Sequence, residues 1–284
     1  MAEIADVLLK GKNIFSPYRV ERLPDIYSLY LKRVVVVDVF IPPSYYTSRK
    51  RYPLLVLNDG QDSDAVRVRS TLSRLTRANE MRDIVVLGIH AGDRMHEYGI
   101  AAQADYRKRG SKAGLYTDFL IEELLPLITR SFRVDPLHID NAIAGYSLGG
   151  LSAFDIAWNH ADLFKKVGAF SGSFWWRSKS YSGGYHDDRD RIAHAQIADG
   201  LYKPGLKFWF EAGTLDERAD RNNNGIIDSI DDTLDLIVEL TKKGYRPFKD
   251  IEYVEIKGGH HNQKTWAKAM PQFLKWAFGT DANS

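Results

Sequence analysis

Residues Gly145-Tyr146-Ser147-Leu148-Gly149-Gly150 lie between a short apolar run, Ile139 to Ala144, and a helical pattern that begins at Leu151. A strand, a sharp turn carrying G-x-S-x-G, and then a helix make a strained elbow. It lifts a serine hydroxyl clear of the backbone at the carboxyl end of the strand. The amide of Leu148 and the positive end of the helix dipole then face any oxyanion that develops there. The glycines are needed because a Cβ would meet the neighbouring strand or helix. Taken alone the pattern is common, and a Gly-rich strand-to-helix turn produces it without any chemistry. Here both flanks agree with a nucleophile, Ser147.

The rest of the chain alternates in the same manner. Period-two and fully apolar runs predict strands over 33–42, 54–58, 84–89, 166–170, 206–212 and 251–256. Helical spacing predicts helices over 64–78, 112–131 and 233–243, and a last helix marked by Trp266, Met270, Phe273, Leu274 and Ala277 with a kink at Pro271. This implies an α/β fold with a mainly parallel central sheet and helices on both faces. We expect a single domain over 1–284. Residues 1–30 read as a cover segment or early edge strand, and 177–200 as an insertion on a pocket rim. Sites in such sheets lie at the carboxyl ends of the strands.

Composition narrows the function classes. With 44% hydrophobic residues in 284, the chain can bury one large core. A net charge of +2 with interspersed signs argues against a nucleic-acid partner. No apolar stretch spans a membrane, and the first ten residues lack a signal-peptide pattern. A cytoplasmic protein is expected, or a periplasmic or secreted one if a leader was removed. There is no cysteine, so thiolate catalysis, disulfides and cysteine-bound zinc are excluded. A small-molecule partner fits best, with no cofactor for catalysis; the oligomeric state stays open.

Two later turns supply partners for Ser147. Gly213-Thr214-Leu215-Asp216-Glu217 follows the predicted strand 206–212. A carboxylate there could accept an imidazole N–H and steady the imidazolium. Asp216 is the first choice and Glu217 the fallback; a helix cap or solvated pair is the bland reading. Lys257-Gly258-Gly259-His260-His261-Asn262 follows the strand 251–256. The Gly-Gly turn can bend an imidazole back over the sheet edge as general base. Adjacent side chains diverge, so only one of His260 and His261 can serve.

At this point the chain resembles the Putative esterase family related to esterase D, within the α/β-hydrolases. That family includes enterochelin, feruloyl and acetyl-xylan esterases, formylglutathione hydrolases and mycolyltransferases. The order Ser, acid, His is that of the α/β-hydrolases. The segment from Tyr52 to Asp62 is similar to the family's oxyanion loop. Gly88-Ile89 with Arg94, Glu97 and Tyr98 resembles its G-I-x-x-x-x-R-x-x-E-Y stretch. Phe119 to Pro126 resembles the helix before the elbow, and Ser171-Gly172-Ser173-Phe174-Trp175-Trp176 the S-x-S-x-W-W stretch of the enterochelin-esterase branch. The resemblance implies a second oxyanion donor at the Gln61 amide, beside Leu148. It implies substrate contacts from Trp175 and Trp176, against core packing as the alternative. Arg94 and Glu97 either touch substrate or pair with each other, and pairing is favoured. Family spacing of five residues before the last-helix tryptophan selects His261 over His260. The missing cysteine counts against the formylglutathione-hydrolase branch.

The expectation is therefore a serine carboxylester hydrolase with the triad Ser147, His261 and Asp216, working through an acyl-enzyme. A siderophore, feruloyl or acetyl-sugar ester is its substrate. An acyltransferase with the same triad, or a non-catalytic ligand-binding relative, is the alternative. One further motif stands apart. Residues 220–231 follow an EF-hand loop, with Asp220, Asn222, Asn224, Ile226, Asp228 and Asp231 at the ligating positions and Gly225 at the sixth. Asp replaces the usual Glu at position twelve. A structural calcium is expected there, bracing the segment that carries Asp216.

Overall fold

The computed structural model describes residues 17–280. Among the described residues there are ten strands: β1 (Arg19–Arg22), β2 (Ile26–Ser28), β3 (Arg33–Val35), β4 (Val37–Ile41), β5 (Leu54–Asn58), β6 (Val85–Ile89), β7 (Ala142–Tyr146), β8 (Lys166–Phe170), β9 (Lys207–Gly213) and β10 (Ile251–Ile256). Eight form one sheet in the order β1-β4-β6-β5-β7-β8-β9-β10. From β6 through β10 all neighbours are parallel, while β4 and β1 close one edge antiparallel. The expected mainly parallel α/β-hydrolase sheet is thus present. The edge strand expected in the first 30 residues is β1; residues 1–16 lie outside those described.

Helices cover both faces. On one face lie α1 (Val68–Arg77) and the last helix, α9 (Gln263–Phe278), whose Trp266, Met270 and Phe273 pack with Leu72, Leu75, Tyr146, Phe170 and Trp209. On the other lie α3 (Ala113–Asp118), α4 (Leu125–Ser131), α5 (Leu148–Asn159) and α8 (Asp228–Lys242), joined by the short α2 (Arg94–Glu97). Central strands β4, β5, β6 and β7 are buried at every position. Apolar surface on both faces is what a run such as Val85-Val86-Leu87 supplies.

Several boundaries differ from expectation for local reasons. The strand predicted over 33–42 breaks at Val36, because 33–35 pairs with β2 in a separate two-stranded sheet while 37–41 enters the main one. The helix predicted over 112–131 holds a π-turn at Phe119–Leu124, where the Leu125 amide reaches the Leu120 carbonyl. Pro126 has no amide to continue the normal pattern, which favours this widening. The insertion at 177–200 is more ordered than a polar loop. It folds into α6 (Asp187–Asp190) and α7 (Ile192–Asp199), with Arg177 bridging Arg191. The last helix runs through Pro271 without interruption.

The elbow imposes the tightest packing. A Cβ on Gly145 would lie 2.3 Å from the Gly149 carbonyl oxygen and 2.9 Å from Cβ of Asn58. Gly145→Ala should therefore destabilise by roughly 2–3 kcal/mol or more through overpacking. Gly114→Ala, in α3 with its nearest neighbour at 3.7 Å, should be neutral or stabilise by up to about 1 kcal/mol. Thermal melts of the two variants check the contrast; equal effects would refute it.

Candidate active site

Ser147 sits between β7 and α5 with φ 55° and ψ −119°, a conformation that costs on the order of 1–3 kcal/mol for a side-chain-bearing residue. The surroundings hold it there. Its amide donates to the Phe170 carbonyl at 2.8 Å, and its carbonyl accepts from Gly150 at 3.0 Å and Ser173 at 3.2 Å. The same step repeats along the sheet. Ser171, also at positive φ, donates to the Glu211 carbonyl at 2.7 Å, and Thr214 to the Ile256 carbonyl at 3.1 Å. Each turn beyond a strand end is thus pinned by the strand beside it.

The acid and histidine turns are joined directly. Leu215 donates to the Gly259 carbonyl at 2.8 Å, and the Gly258 amide to Thr214 Oγ1 at 2.8 Å. This close approach requires Gly213, since a Cβ there would stand 2.5 Å from the Gly259 oxygen. Asn262 caps α9 by accepting from the Thr265 amide at 3.2 Å. His260 is tied by its amide to Thr265 Oγ1 at 2.9 Å and its side chain is exposed. His261 is also exposed, but its ring lies edge-on to Trp266 with ring centres 5.5 Å apart. Trp266 in turn stacks on Tyr146, the residue before Ser147, and gives its Nε1–H to Ser171 Oγ at 3.0 Å.

The Asp216 side chain is fully buried, and neither carboxylate oxygen has a hydrogen-bond partner. His261 Nδ1 lies 3.9 Å from Oδ2, beyond hydrogen-bond length. Ser147 Oγ meets Ser173 Oγ at 3.3 Å rather than an imidazole. Asp216, Glu217, His261, Ser171, Gly172, Trp175 and Ser229 line one cavity of about 220 Å³. Glu217, the fallback acid, is half-buried there, and burial raises its carboxyl above the ordinary range. A larger groove of about 780 Å³ lies at the other end of the strands, among Arg82, Lys166, Lys207 and Lys275, far from these turns.

The oxyanion loop has its own scaffold. Asp59 is buried at φ 59° beside Gln61. It accepts Arg94 Nε at 2.8 Å, Arg94 Nη2 at 3.0 Å and Gln61 Nε2 at 3.0 Å. Arg94 also donates to the Tyr146 carbonyl at 3.0 Å, tying the loop to the elbow. Gly149 leaves the room that Asp59 Oδ2 occupies. The Leu148 amide is one of the first-turn donors that a helix leaves without an internal acceptor. The expected pairing of Arg94 with Glu97 does not form. Glu97 faces Arg33 at 2.6 Å, and the guanidinium of Arg94 is engaged by Asp59 and the Tyr146 carbonyl.

The two tryptophans separate. Trp176 is fully buried in the core, packed over Gly99 and Gly110, so the substrate contact expected of it is excluded by burial. Trp175 is half-buried in the cavity wall, with the Arg109 guanidinium 4.7 Å from its ring centre. Beyond it, Arg177 lies 4.2 Å from the ring centre of Tyr181 and 5.1 Å from that of Tyr106. The segment 177–199 is clasped to the loop before α8. Arg191 and Arg221 both bind Asp232, at 2.9 and 2.7 Å. Burial nevertheless pushes the Asp232 carboxyl up to about 6, and holds the neighbouring His194 down to about 3.

In the 220–231 loop, Asp220 accepts the amides of Asn224 and Gly225, and Asp231 Oδ2 accepts Asn222 Nδ2 at 2.9 Å and Asn224 Nδ2 at 2.8 Å. Asp228 does not join them. Its carboxylate is taken by the amide and guanidinium of Arg221. Among the described residues no group of three or more His, Cys, Asp or Glu is arranged to hold a metal.

The family model described as "Putative esterase" matches residues 28–277. The chain belongs to this family. Its family and its fold are those of carboxylic ester hydrolases. The uncharacterized protein YbbA of Bacillus subtilis (strain 168) is 22% identical over 250 residues, covering 87% of this chain and 93% of that one. The enterobactin esterase of Shigella flexneri, solved in the presence of enterobactin, superposes with a TM-score of 0.71 at 23% identity over 92% of this chain; the chain spans 58% of that protein's length. The CE1 ferulic acid esterase of Anaeromyces mucronatus gives 0.66 at 15% identity, with 94% and 92% covered. These likenesses share the fold. Among the described residues no helix is long and apolar enough to cross a membrane.

Sequence reasoning did not single out Asp59, Ser173 or Glu211. Asp59 carried a signal in the Asn58-Asp59-Gly60 turn; Glu211 carried none. Removing Arg94 should expose the importance of Asp59. Arg94→Ala leaves a buried carboxylate unpaired and should cost about 3 kcal/mol, seen as a fall of several degrees in melting temperature. Adding Asp59→Asn should recover much of that loss. A raised KM with an unchanged melt would instead place Arg94 on the substrate.

Proposed function

We propose that Ser147 attacks the acyl carbon of a carboxylic ester. His261 takes the hydroxyl proton and returns it to the leaving alcohol. Asp216 orients the imidazole and steadies its cation, and the amides of Leu148 and Gln61 hold the oxyanion. Water then resolves the acyl-enzyme by the reverse route. The observation that carries this reading is the Asp216 carboxylate, buried, partnerless and facing His261 Nδ1 at 3.9 Å. An unsatisfied buried carboxylate is costly. A movement of about 1 Å by the half-exposed imidazole would make the missing bond, and such tightening on substrate binding is ordinary for a catalytic pair.

The substrate we assign is an ester with an aromatic acyl group, of the siderophore or feruloyl type, ahead of an acetylated sugar. Trp175 supports this, offering a ring face in the cavity wall next to His261. The Shigella neighbour solved with enterobactin and the ferulic acid esterase point the same way. The Ser147–Ser173 contact favours a second reading, a non-catalytic ligand-binding relative in which the serine stays unactivated.

A fluorophosphonate probe should label the wild type and not Ser147→Ala, and that substitution should lower kcat on the order of 10⁶-fold. Feruloyl and catechol esters should be turned over faster than acetyl esters. Absence of a serine-dependent adduct would select the non-catalytic reading, and transfer to added alcohols in place of hydrolysis would select an acyltransferase.

A structural calcium in the 220–231 loop is the second part of the proposal. Asp220, Asn222, Asn224 and Asp231 draw together, and turning over two side-chain amides would present oxygens in place of the nitrogens that now face Asp231. The Ile226 carbonyl completes the set, and Asp228 drops out. Chelation should then lower the melting temperature, and added calcium restore it. An unchanged melt would dismiss the ion.

A further inference from the structure

Strand β9 carries a second buried carboxyl behind the first. Glu211 is fully buried on the same strand face as Trp209; only Ser171 stands near its side-chain oxygens, and no well-formed hydrogen bond reaches either of them. Five residues on, the Asp216 carboxylate is equally enclosed and equally without a partner. The groups facing this pair can be named element by element. The turn after β9 contributes Asp216 itself and Glu217. Tyr253 on β10 feels both carboxyls and stays a neutral phenol. The turn before α9 contributes His261 and α9 contributes Trp266. Ser171, after β8, gives its amide to the Glu211 carbonyl and takes the Trp266 N–H on its oxygen. Its own hydroxyl proton is left to offer the Glu211 side chain. Among the described residues no lysine or arginine pairs with either carboxyl.

Two carboxylates in one apolar enclosure, with a single imidazole as counter-charge, do not both ionise. We propose that Glu211 is a positioning residue of the site, a neutral carboxylic acid beneath Asp216 that leaves the pair's one negative charge on Asp216, facing His261. Burial first, then the Asp216 charge, outweigh the nearby Ser171 donors and push the Glu211 carboxyl up to about 8, which keeps it protonated at neutral pH. When it does ionise, a second negative charge appears behind the triad. The imidazolium is then over-stabilised, and the base is harder to regenerate. The rate should therefore fall on the alkaline side. Stability carries the same signature. The folded state binds this proton more tightly than the unfolded chain does, so the contribution is full below about pH 4.5 and is lost as the pH climbs through about 8.

The rate consequence rests on the triad reading, while the stability consequence does not. Glu211→Gln, close in shape and neutral at every pH, tests both. In a Ser147→Ala background, urea unfolding from pH 5 to 9 should show the Glu211 protein losing stability with a slope approaching one proton relative to Glu211→Gln. In the active enzyme, the loss of kcat/KM above about pH 8 should move up by a pH unit or vanish in Glu211→Gln. Parallel stability curves, or an alkaline limb that stays in place, would overturn the proposal. If neither enzyme turns over ester, the triad reading fails, and the stability slopes still decide the state of Glu211. Should Glu211→Gln not fold, infrared spectra of the Ser147→Ala protein decide it. A protonated-carboxyl band present at pH 6.5 and lost by pH 9.5 supports the neutral acid, and its absence at pH 6.5 overturns it.

Discussion

The parallel ladder that continues one step past each strand end is the constraint on which the site depends. Ser147 is hydrogen-bonded to Phe170, Ser171 to Glu211 and Thr214 to Ile256. These bonds leave the turns little freedom, and two of them hold a residue at positive φ where an unsupported chain would relax. The elbow serine, Ser171 of the cavity wall and the turn carrying Asp216 therefore sit on three neighbouring rungs of one sheet. The histidine arrives from the fourth by way of the Gly213–Gly259 approach. Strand order alone brings the turns that carry residues 147, 216 and 261 to the same edge of the sheet.

Charge buried near these turns is handled in two opposite ways. Asp59 receives a bidentate guanidinium and a side-chain amide, and so acts as a brace. Asp216 and Glu211 receive almost nothing. The first arrangement suits a fixed scaffold, because every lone pair that matters is occupied. The second suits chemistry, because an undersatisfied group keeps free energy in reserve for a partner that moves. The two lie on either side of the elbow, with the Tyr146 carbonyl tied to Arg94 and the Tyr146 ring stacked under Trp266.

Much of this was legible in the sequence. Continuous apolar runs marked the central strands, and the elbow, the Gly-Gly turn and the acid turn announced themselves through residues with few other uses. The mainly parallel pairing of the sheet followed from alternation and handedness, while its strand order came only with the structure. What stayed hidden depended on direction. Trp175 and Trp176 are adjacent and chemically equal, yet one faces the cavity and the other the core, and only the local backbone after Ser173 decides between them. Glu211 sits in Phe208-Trp209-Phe210-Glu211, where both strand faces are buried and alternation carries no polarity signal. Arg94 was visible as a charged residue, but its partner lay 35 positions away across another strand.

The clasp at Asp232 has a consequence for anyone wishing to retarget the enzyme. Arg191 belongs to the rim insertion and Arg221 to the asparagine-rich loop, and both close on the same carboxylate at the head of α8. Residues 177–199 therefore cannot be exchanged as an independent cassette. A graft from a relative with another specificity would strand one guanidinium or bare the aspartate unless residues 221 and 232 travel with it.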